Sequence, residues 1–226
     1  MLNDLVSLFY PRNCVCCHQT LNKGEQDCCV MCLTELPRTN FSNFDDNPVA
    51  KLFWGRIELT FGFSVYHFEK GGKLQSLMHS LKYKGKTQIG EFLGRAIGNE
   101  LNNSGKASKI DLILPIPLHP KKERLRGYNQ SDYLAKGIHE VTAIPYASNV
   151  VRRTMHTTSQ TRKAKFDRWK NVSSIFEIHK PEQVNGKRIL VVDDVTTTGS
   201  TLESCARELL NHQAAAVAVT VVASSV

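Results

Sequence analysis

No stretch of this 226-residue chain holds 18 or more consecutive apolar residues, so a membrane-spanning helix is not expected. The first residues, Met1 to Pro11, lack a basic segment followed by a long apolar core. A secretory leader is therefore not expected, and the cytoplasm is the default location. No Gly-x4-Gly-Lys-Ser/Thr loop is present, which excludes a Walker-type nucleotide site. Aromatic residues are sparse at 8%. They are not gathered for base stacking, since only Tyr128, Phe166 and Trp169 interleave with the charge. Neither an internal repeat nor a low-complexity tract occurs, and cysteine beyond residue 32 is limited to Cys205.

What is present is unevenly distributed. The net charge is +8, and the segment from His119 to Val172 carries all of the excess, with twelve Lys or Arg against four Asp or Glu. A concentrated basic surface attracts phosphates, whether in nucleotides, pyrophosphate or nucleic acid. The other six of the seven cysteines fall between Cys14 and Cys32. In a cytoplasmic setting such clustering favours metal over disulfides. Cys14-x2-Cys17 and Cys29-x2-Cys32 present four thiolates suited to one tetrahedral zinc, with Cys16 or Cys28 able to substitute for a neighbour. Four thiolates leave no open position, so the metal would be structural, and a module this small would need it to fold. A redox CxxC pair or buried free thiols are the competing readings.

Patterning then divides the chain. Residues 1–36 form the cysteine module, 37–50 are rich in turn formers and read as a linker, and 51–226 form the main domain. Ile57, Leu59, Phe61, Phe63 and Val65 alternate as in a strand. Leu74, Leu77, Met78 and Leu81 recur at helical spacing, as do the apolar residues from Ile89 to Leu101. Asp111 to Pro117 reads as a short strand, His119 to Gly127 as a basic loop, and Asn129 to Val141 as a helix. A short strand is read at Val150-Val151 and a long mobile loop over 152–171. A buried strand (Lys187 to Val192), a helix (Leu202 to Leu210) and a last buried strand (Ala216 to Ala223) complete the chain. Alternation of strand and helix implies an α/β fold with a mainly parallel sheet.

The sharpest signal is Asp193 and Asp194 at the end of a buried strand, followed by Thr196, Thr197, Thr198, Gly199, Ser200 and Thr201 before a helix. Ligands of open α/β sheets bind at the carboxyl ends of strands. Unpaired N–H groups and the helix dipole at such a loop favour a phosphate. Gly199 permits close backbone approach, and Ser200 with Glu203 has the spacing of a capping box. Paired carboxylates accept hydrogen bonds from vicinal sugar hydroxyls or help hold Mg²⁺. The pattern suits a ribose 5-phosphate.

Val191 to Thr201 resembles the loop of type I phosphoribosyltransferases that binds 5-phosphoribosyl-1-pyrophosphate (PRPP). The rest of the chain resembles the ComF family of competence-associated and gluconate-utilisation-associated phosphoribosyltransferase-like proteins. The likeness is carried by the two CxxC pairs, Leu81 to Gly85, Pro115 to Pro120, Arg126 to Gln130, and Ser159 to Thr161 with Arg168 and Asn171. It implies a type I phosphoribosyltransferase fold: a parallel sheet flanked by helices, with a hood, plus a small N-terminal zinc-binding module. It also implies Mg²⁺ with PRPP, a pyrophosphate loop in which Lys121, Arg124 and Arg126 are candidates, and a flexible loop with Gln160, Arg162 and Arg168 that closes over the donor and excludes water. Asp193, Asp194, Arg126 and Lys121 become the candidate catalytic residues, and Thr196 to Thr201 the 5′-phosphate loop. Lys82 and Lys84 with Tyr83 belong either to the hood or to a solvated helix face. Purine-salvage members carry an acid where this chain has Thr197, so protonation of a purine nitrogen is not supported. Of the histidines, His119 is the one worth testing. The second function class is a nucleic-acid-binding competence factor with a non-catalytic site and single-stranded DNA as partner. The acceptor and the oligomeric state are not legible.

Overall fold

The structure, a computed structural model, describes residues 11–154 and 175–226. Helices α1 (Val30–Thr34) and α2 (Pro48–Lys51) precede strand β1 (Gly62–His67). Helices α3 (Lys73–Tyr83) and α4 (Thr87–Asn103) lead to β2 (Leu112–Pro115). Helices α5 (Pro120–Arg126) and α6 (Gln130–Thr142) come next, then strands β3 (Val151–Arg153) and β4 (Phe176–Ile178). Strand β5 (Arg188–Thr196), helix α7 (Ser200–Asn211) and strand β6 (Ala216–Ser224) complete the described chain. The main sheet runs β1-β6-β5-β2 with every pair parallel, and β3 and β4 form a separate antiparallel pair.

The sheet is buried on both faces, as continuous apolar strands require. On β5, Leu190 and Val192 point into a core shared with Leu77 and Leu81 of α3, Leu93 and Ile97 of α4, and Leu134 and Ile138 of α6. Ile189 and Val191 point the other way, toward Leu202, Cys205 and Leu209 of α7, the β3-β4 pair, and Val49 and Phe53. The expected α/β class with a mainly parallel sheet flanked by helices is what the chain forms. Helices α4 and α6 approach through glycine. A Cβ on Gly94 would stand 2.2 Å from the Leu134 carbonyl oxygen, and one on Gly137 2.1 Å from that of Glu91. Only glycine lets the two backbones meet so closely.

Several local expectations are corrected. The alternation from Ile57 overstated the first strand, which begins at Gly62; Phe61 to Tyr66 are all buried, so no solvent face exists to sustain a period of two. The segment 119–127 is helical rather than a loop. Pro120 sits in its first turn, the His119 ring Nδ1 accepts the Lys121 N–H (3.2 Å), and Gly127 closes it at φ +83°. Arg152 and Arg153 lie in β3 rather than in a loop, and β4 went unread because three residues are too few to show a period. The remainder of the expected mobile loop, with Gln160, Arg162 and Arg168, lies outside the described residues. The turn-rich stretch 37–50 packs firmly: Phe44 stacks on Phe63 at 4.0 Å, and buried Asn47 caps α2 by accepting the Val49 and Ala50 N–H groups.

Candidate functional site

The carboxyl end of β5 delivers both aspartates. Register pairs Asp193 with Val221 of β6, while Ile116, just past β2, donates its N–H to the Val192 carbonyl (2.9 Å). The β2-α5-α6 connection is therefore held at the same sheet edge. Asn129 caps α6 by accepting the Ser131 N–H and donates its own amide to the Ile116 carbonyl (3.0 Å). The Ser131 hydroxyl then donates to Asp193 Oδ1 (3.2 Å), which also accepts the Asp194 N–H (2.8 Å). Burial first, and the Asp194 charge second, push the Asp193 carboxyl up to about 7. These outweigh the Asp194 N–H, the Lys82 charge and the Ser131 hydroxyl, which pull it down.

Asp194 is 6% exposed. Its Oδ2 lies 2.6 Å from the Lys82 ammonium, which enters from α3. No well-angled donor among the described residues hydrogen-bonds that oxygen. At that distance the ammonium is the partner of this buried oxygen. Lys82 thus belongs to the site rather than to a solvated helix face.

The Thr/Gly/Ser loop is held from behind. Gly199 has φ +75°, and a Cβ there would meet two Phe53 ring carbons at 2.9 Å. The close approach at this glycine is to a side chain of the protein itself. Thr196 is buried and its hydroxyl accepts the Gly199 N–H (3.2 Å), while the Thr198 and Ser200 hydroxyls lie 2.8 Å apart. Thr197 and Thr198 are exposed and Thr201 is half-buried. The expected capping box does not form. Ser200 is the first helical residue, Gly199 takes the cap position without a side-chain bond, and Glu203 instead pairs with Arg56 and Arg207. Of the first helical N–H groups, that of Ser200 meets the Thr198 hydroxyl at 3.5 Å, and no hydrogen bond from a loop side chain reaches those of Thr201 and Leu202 among the described residues. Arg56 also donates to the Thr198 carbonyl (3.0 Å), fixing the loop from 142 positions away in sequence.

Helix α5 stands at the rim. Lys121, Lys122, Arg124 and Leu125 are exposed, and none of the three cations has an ion pair among the described residues. Arg126 contacts the Gln130 side-chain oxygen and lies 5.5 Å above the Tyr83 ring; the Tyr128 hydroxyl donates to the Leu81 carbonyl. A cavity of about 430 Å³ opens between α3 and α5, lined by Lys82, Tyr83, Lys122, Leu125, Arg126 and Tyr128. Tyr83 is 68% and Leu125 90% exposed there. Lys82 links this cavity to Asp194. Sequence reasoning missed Ser131, Arg56 and Phe53. The Asn129-x-Ser131 helix start could have signalled the first, whereas nothing local signals the other two.

The cysteines converge as well. Cys29 occupies the N-cap position of α1 without a side-chain bond, and Cys32 lies within the helix. Four-thiol sets with all sulfurs within 4.8 Å exist twice: Cys14, Cys17, Cys29, Cys32, and Cys14, Cys16, Cys28, Cys32. The Cys14 sulfur accepts N–H groups from Cys16 and Cys29, each at 3.4 Å. Burial pushes Cys14 up, but these and the Cys17 N–H outweigh it and bring the thiol to about 6. The donor set suits a thiophilic metal such as zinc. No helix among the described residues is long and apolar enough to cross a membrane.

Residues 131–225 match the phosphoribosyl transferase domain family. The chain is 33% identical over 149 residues to DNA utilization protein YhgH of Escherichia coli (strain K12), a stretch covering 65% of each chain. It is 30% identical over 140 residues to Competence protein F of Haemophilus influenzae, covering 60% of this chain and 61% of the relative. Against Competence protein ComFC of Bacillus subtilis it is 33% identical over 105 residues, 46% of this chain and 40% of the relative. Among solved structures, glutamine PRPP amidotransferase from B. subtilis aligns with TM-score 0.46 at 19% identity, over 64% of this chain and 30% of that one.

Proposed function

We propose that this ComF-type, phosphoribosyltransferase-like protein binds PRPP at the carboxyl edge of β5 and transfers its phosphoribosyl group to a nucleophilic acceptor, releasing pyrophosphate. The observation that carries the reading is the pair of adjacent carboxylates, Asp193 and Asp194, at the end of β5, with the Lys82 ammonium 2.6 Å from Asp194, beside a helix start whose cap residue Gly199 supplies no side chain. Hydroxyl donors of a ribose fit the two carboxylates. A 5′-phosphate fits the loop Thr197–Thr201 and the dipole of α7, while Thr196 supports that loop from within. Lys121, Arg124 and Arg126 on α5 meet the pyrophosphate and stabilise its charge as the bond from C1 to oxygen breaks. Gln160, Arg162 and Arg168 are proposed to close over the donor.

Asp193 and Asp194 are the carboxylates with which Mg²⁺ would associate; bound with PRPP, the ion would neutralise pyrophosphate charge. The cysteine module, residues 1–36, holds zinc as a structural element, and the protein works in the cytoplasm.

Thermal melting with and without Mg·PRPP tests this reading. A ligand at about 100 times its Kd adds roughly 2.7 kcal/mol of stability, and Asp193→Asn/Asp194→Asn is expected to abolish the shift. A melting temperature unmoved by Mg·PRPP would overturn it.

A second reading is favoured by the exposed Tyr83 and Leu125 beside Lys122, Arg124 and Arg126. Aromatic and apolar faces set in a basic groove suit single-stranded DNA, with affinity falling steeply in salt. In that case DNA binding persists in Asp193→Asn/Asp194→Asn and fails in Lys122→Glu/Arg124→Glu.

A further inference from the structure

The two four-thiol sets share Cys14 and Cys32 and differ in the rest. They therefore need not compete. A zinc–sulfur bond of about 2.3 Å puts tetrahedral thiolates about 3.8 Å apart. The sulfurs of Cys14 and Cys28 are 3.8 Å apart, those of Cys16 and Cys28 3.6 Å, and those of Cys17 and Cys29 3.7 Å. Each of these separations is an edge of a thiolate tetrahedron with no metal needed to draw it in.

We propose that the cysteine knuckle is a binuclear centre in which two zinc ions occupy edge-sharing tetrahedra, bridged by the Cys14 and Cys32 thiolates. Cys16 and Cys28 complete one ion's shell, and Cys17 and Cys29 complete the other's. All six sulfurs are then used and each ion is four-coordinate, as closed zinc sites are. The burial pattern fits this assignment. The bridging pair is the most buried, Cys14 at 1% and Cys32 at 2% exposure; of the terminal four, Cys28 and Cys29 stand at 8% and 9%, Cys16 is half-buried and Cys17 exposed. Each terminal pair joins one cysteine of the first cluster to one of the second, so the two metals would staple the same two chain segments twice.

Charge supports the second ion. One zinc on four thiolates carries a net −2 and leaves two neutral thiols. Taking up a second zinc while releasing the two thiol protons to solvent leaves the centre at −2. No charge is added to a buried knuckle, where charge is hard to solvate. Without the second ion, two thiols stay packed against a thiolate cluster, and among the described residues the Lys73 carbonyl, 3.5 Å from the Cys16 sulfur, is their one hydrogen-bond partner outside it.

The proposal rests on the reading of this module as a metal site, and metal stoichiometry separates the two. The full-length chain, purified under reducing conditions and saturated with Zn²⁺, is analysed by native mass spectrometry and elemental analysis. Two zinc ions per chain are expected, falling to one in both Cys16→Ser/Cys28→Ser and Cys17→Ser/Cys29→Ser. One zinc in the parent chain overturns the binuclear centre and leaves the single zinc site standing; no zinc at all overturns both. Substitution with Co²⁺ examines the bridge without any variant. Thiolate bridges couple the two spins, so the paramagnetic resonance signal of the first equivalent is expected to fall as the second is added. A signal that doubles instead refutes the shared edge.

Discussion

Replacing Lys82 by methionine keeps the apolar stem that lines the cavity and deletes the ammonium facing Asp194. The Asp194 carboxylate, 6% exposed, is then left beside Asp193 with no cation. Breaking a buried ion pair from one side costs about 3–5 kcal/mol. The Lys82 side chain keeps 24% of its exposure, so water already carries part of the load; a loss of about 2 kcal/mol at pH 8 is expected. The sign of the pH dependence follows from Asp193. Its carboxyl is raised to about 7 in the folded protein, so between its unfolded value of about 4 and pH 7 the folded state holds a proton that the unfolded state has released. Stability therefore falls as pH rises through that window. The Lys82 charge draws Asp193 downward, so its removal extends the window above pH 7 and deepens the fall. Urea unfolding at pH 5, 6, 7 and 8 is the assay, with the denaturant slope checked for constancy. The deficit of the variant is expected to be smallest at pH 5 and to grow toward pH 8. A deficit of equal size at all four values, or none at pH 8, refutes the assignment of Lys82 as the counter-charge of the aspartate pair.

Gly199→Ala forces a Cβ into the left-handed region, at about 1–2 kcal/mol, and against the Phe53 ring. A melting temperature lower by about 5 °C is expected for a chain of this size, and adding Phe53→Leu is expected to restore only part of it, because the backbone strain remains. Gly137→Ala places its methyl 2.1 Å from a backbone oxygen of α4, which no side-chain rotation relieves. Urea denaturation is expected to show a loss of at least about 3 kcal/mol, whereas a loss under 1 kcal/mol would mean that α4 and α6 are not in direct backbone contact.

Much of the sheet was legible because β5 carries the apolar run Ile189 to Val192 and β6 is apolar from Ala216 to Ala223 but for Thr220, and such runs have few alternatives to a strand buried on both faces. Helix α5 was not, although Pro120 and Gly127 bracket it as helix start and stop signals. Its seven residues bury nothing, so no apolar period exists to read, and its charge suggested a loop. The linker at 37–50 misled for the opposite reason: Asn43, Asn47 and Pro48 are turn formers, yet Phe44 between them is a core residue. At the site, the aspartates and the loop were readable as local sequence. Arg56 and Phe53, which brace that loop, were not, because their contact with it depends on a fold that brings positions some 140 residues apart together. The Ser200-x-x-Glu203 spacing shows the limit of a motif: Arg56 and Arg207 outbid the backbone for the glutamate.

Strand β6 is hydrogen-bonded to β1 on one side and to β5 on the other, and it spans Ala216 to Ser224. The middle of the sheet is therefore made last. During synthesis β1, β2 and β5 emerge with β1 unable to join the others, because the strand that separates them has not yet emerged. The Thr/Gly/Ser loop can exist as a turn in the nascent chain, but the surface that supports it cannot close until residue 224 has left the ribosome. A chain halted before that point would carry every residue named at the candidate site and still present a split sheet, with two unpaired strand edges open to other chains.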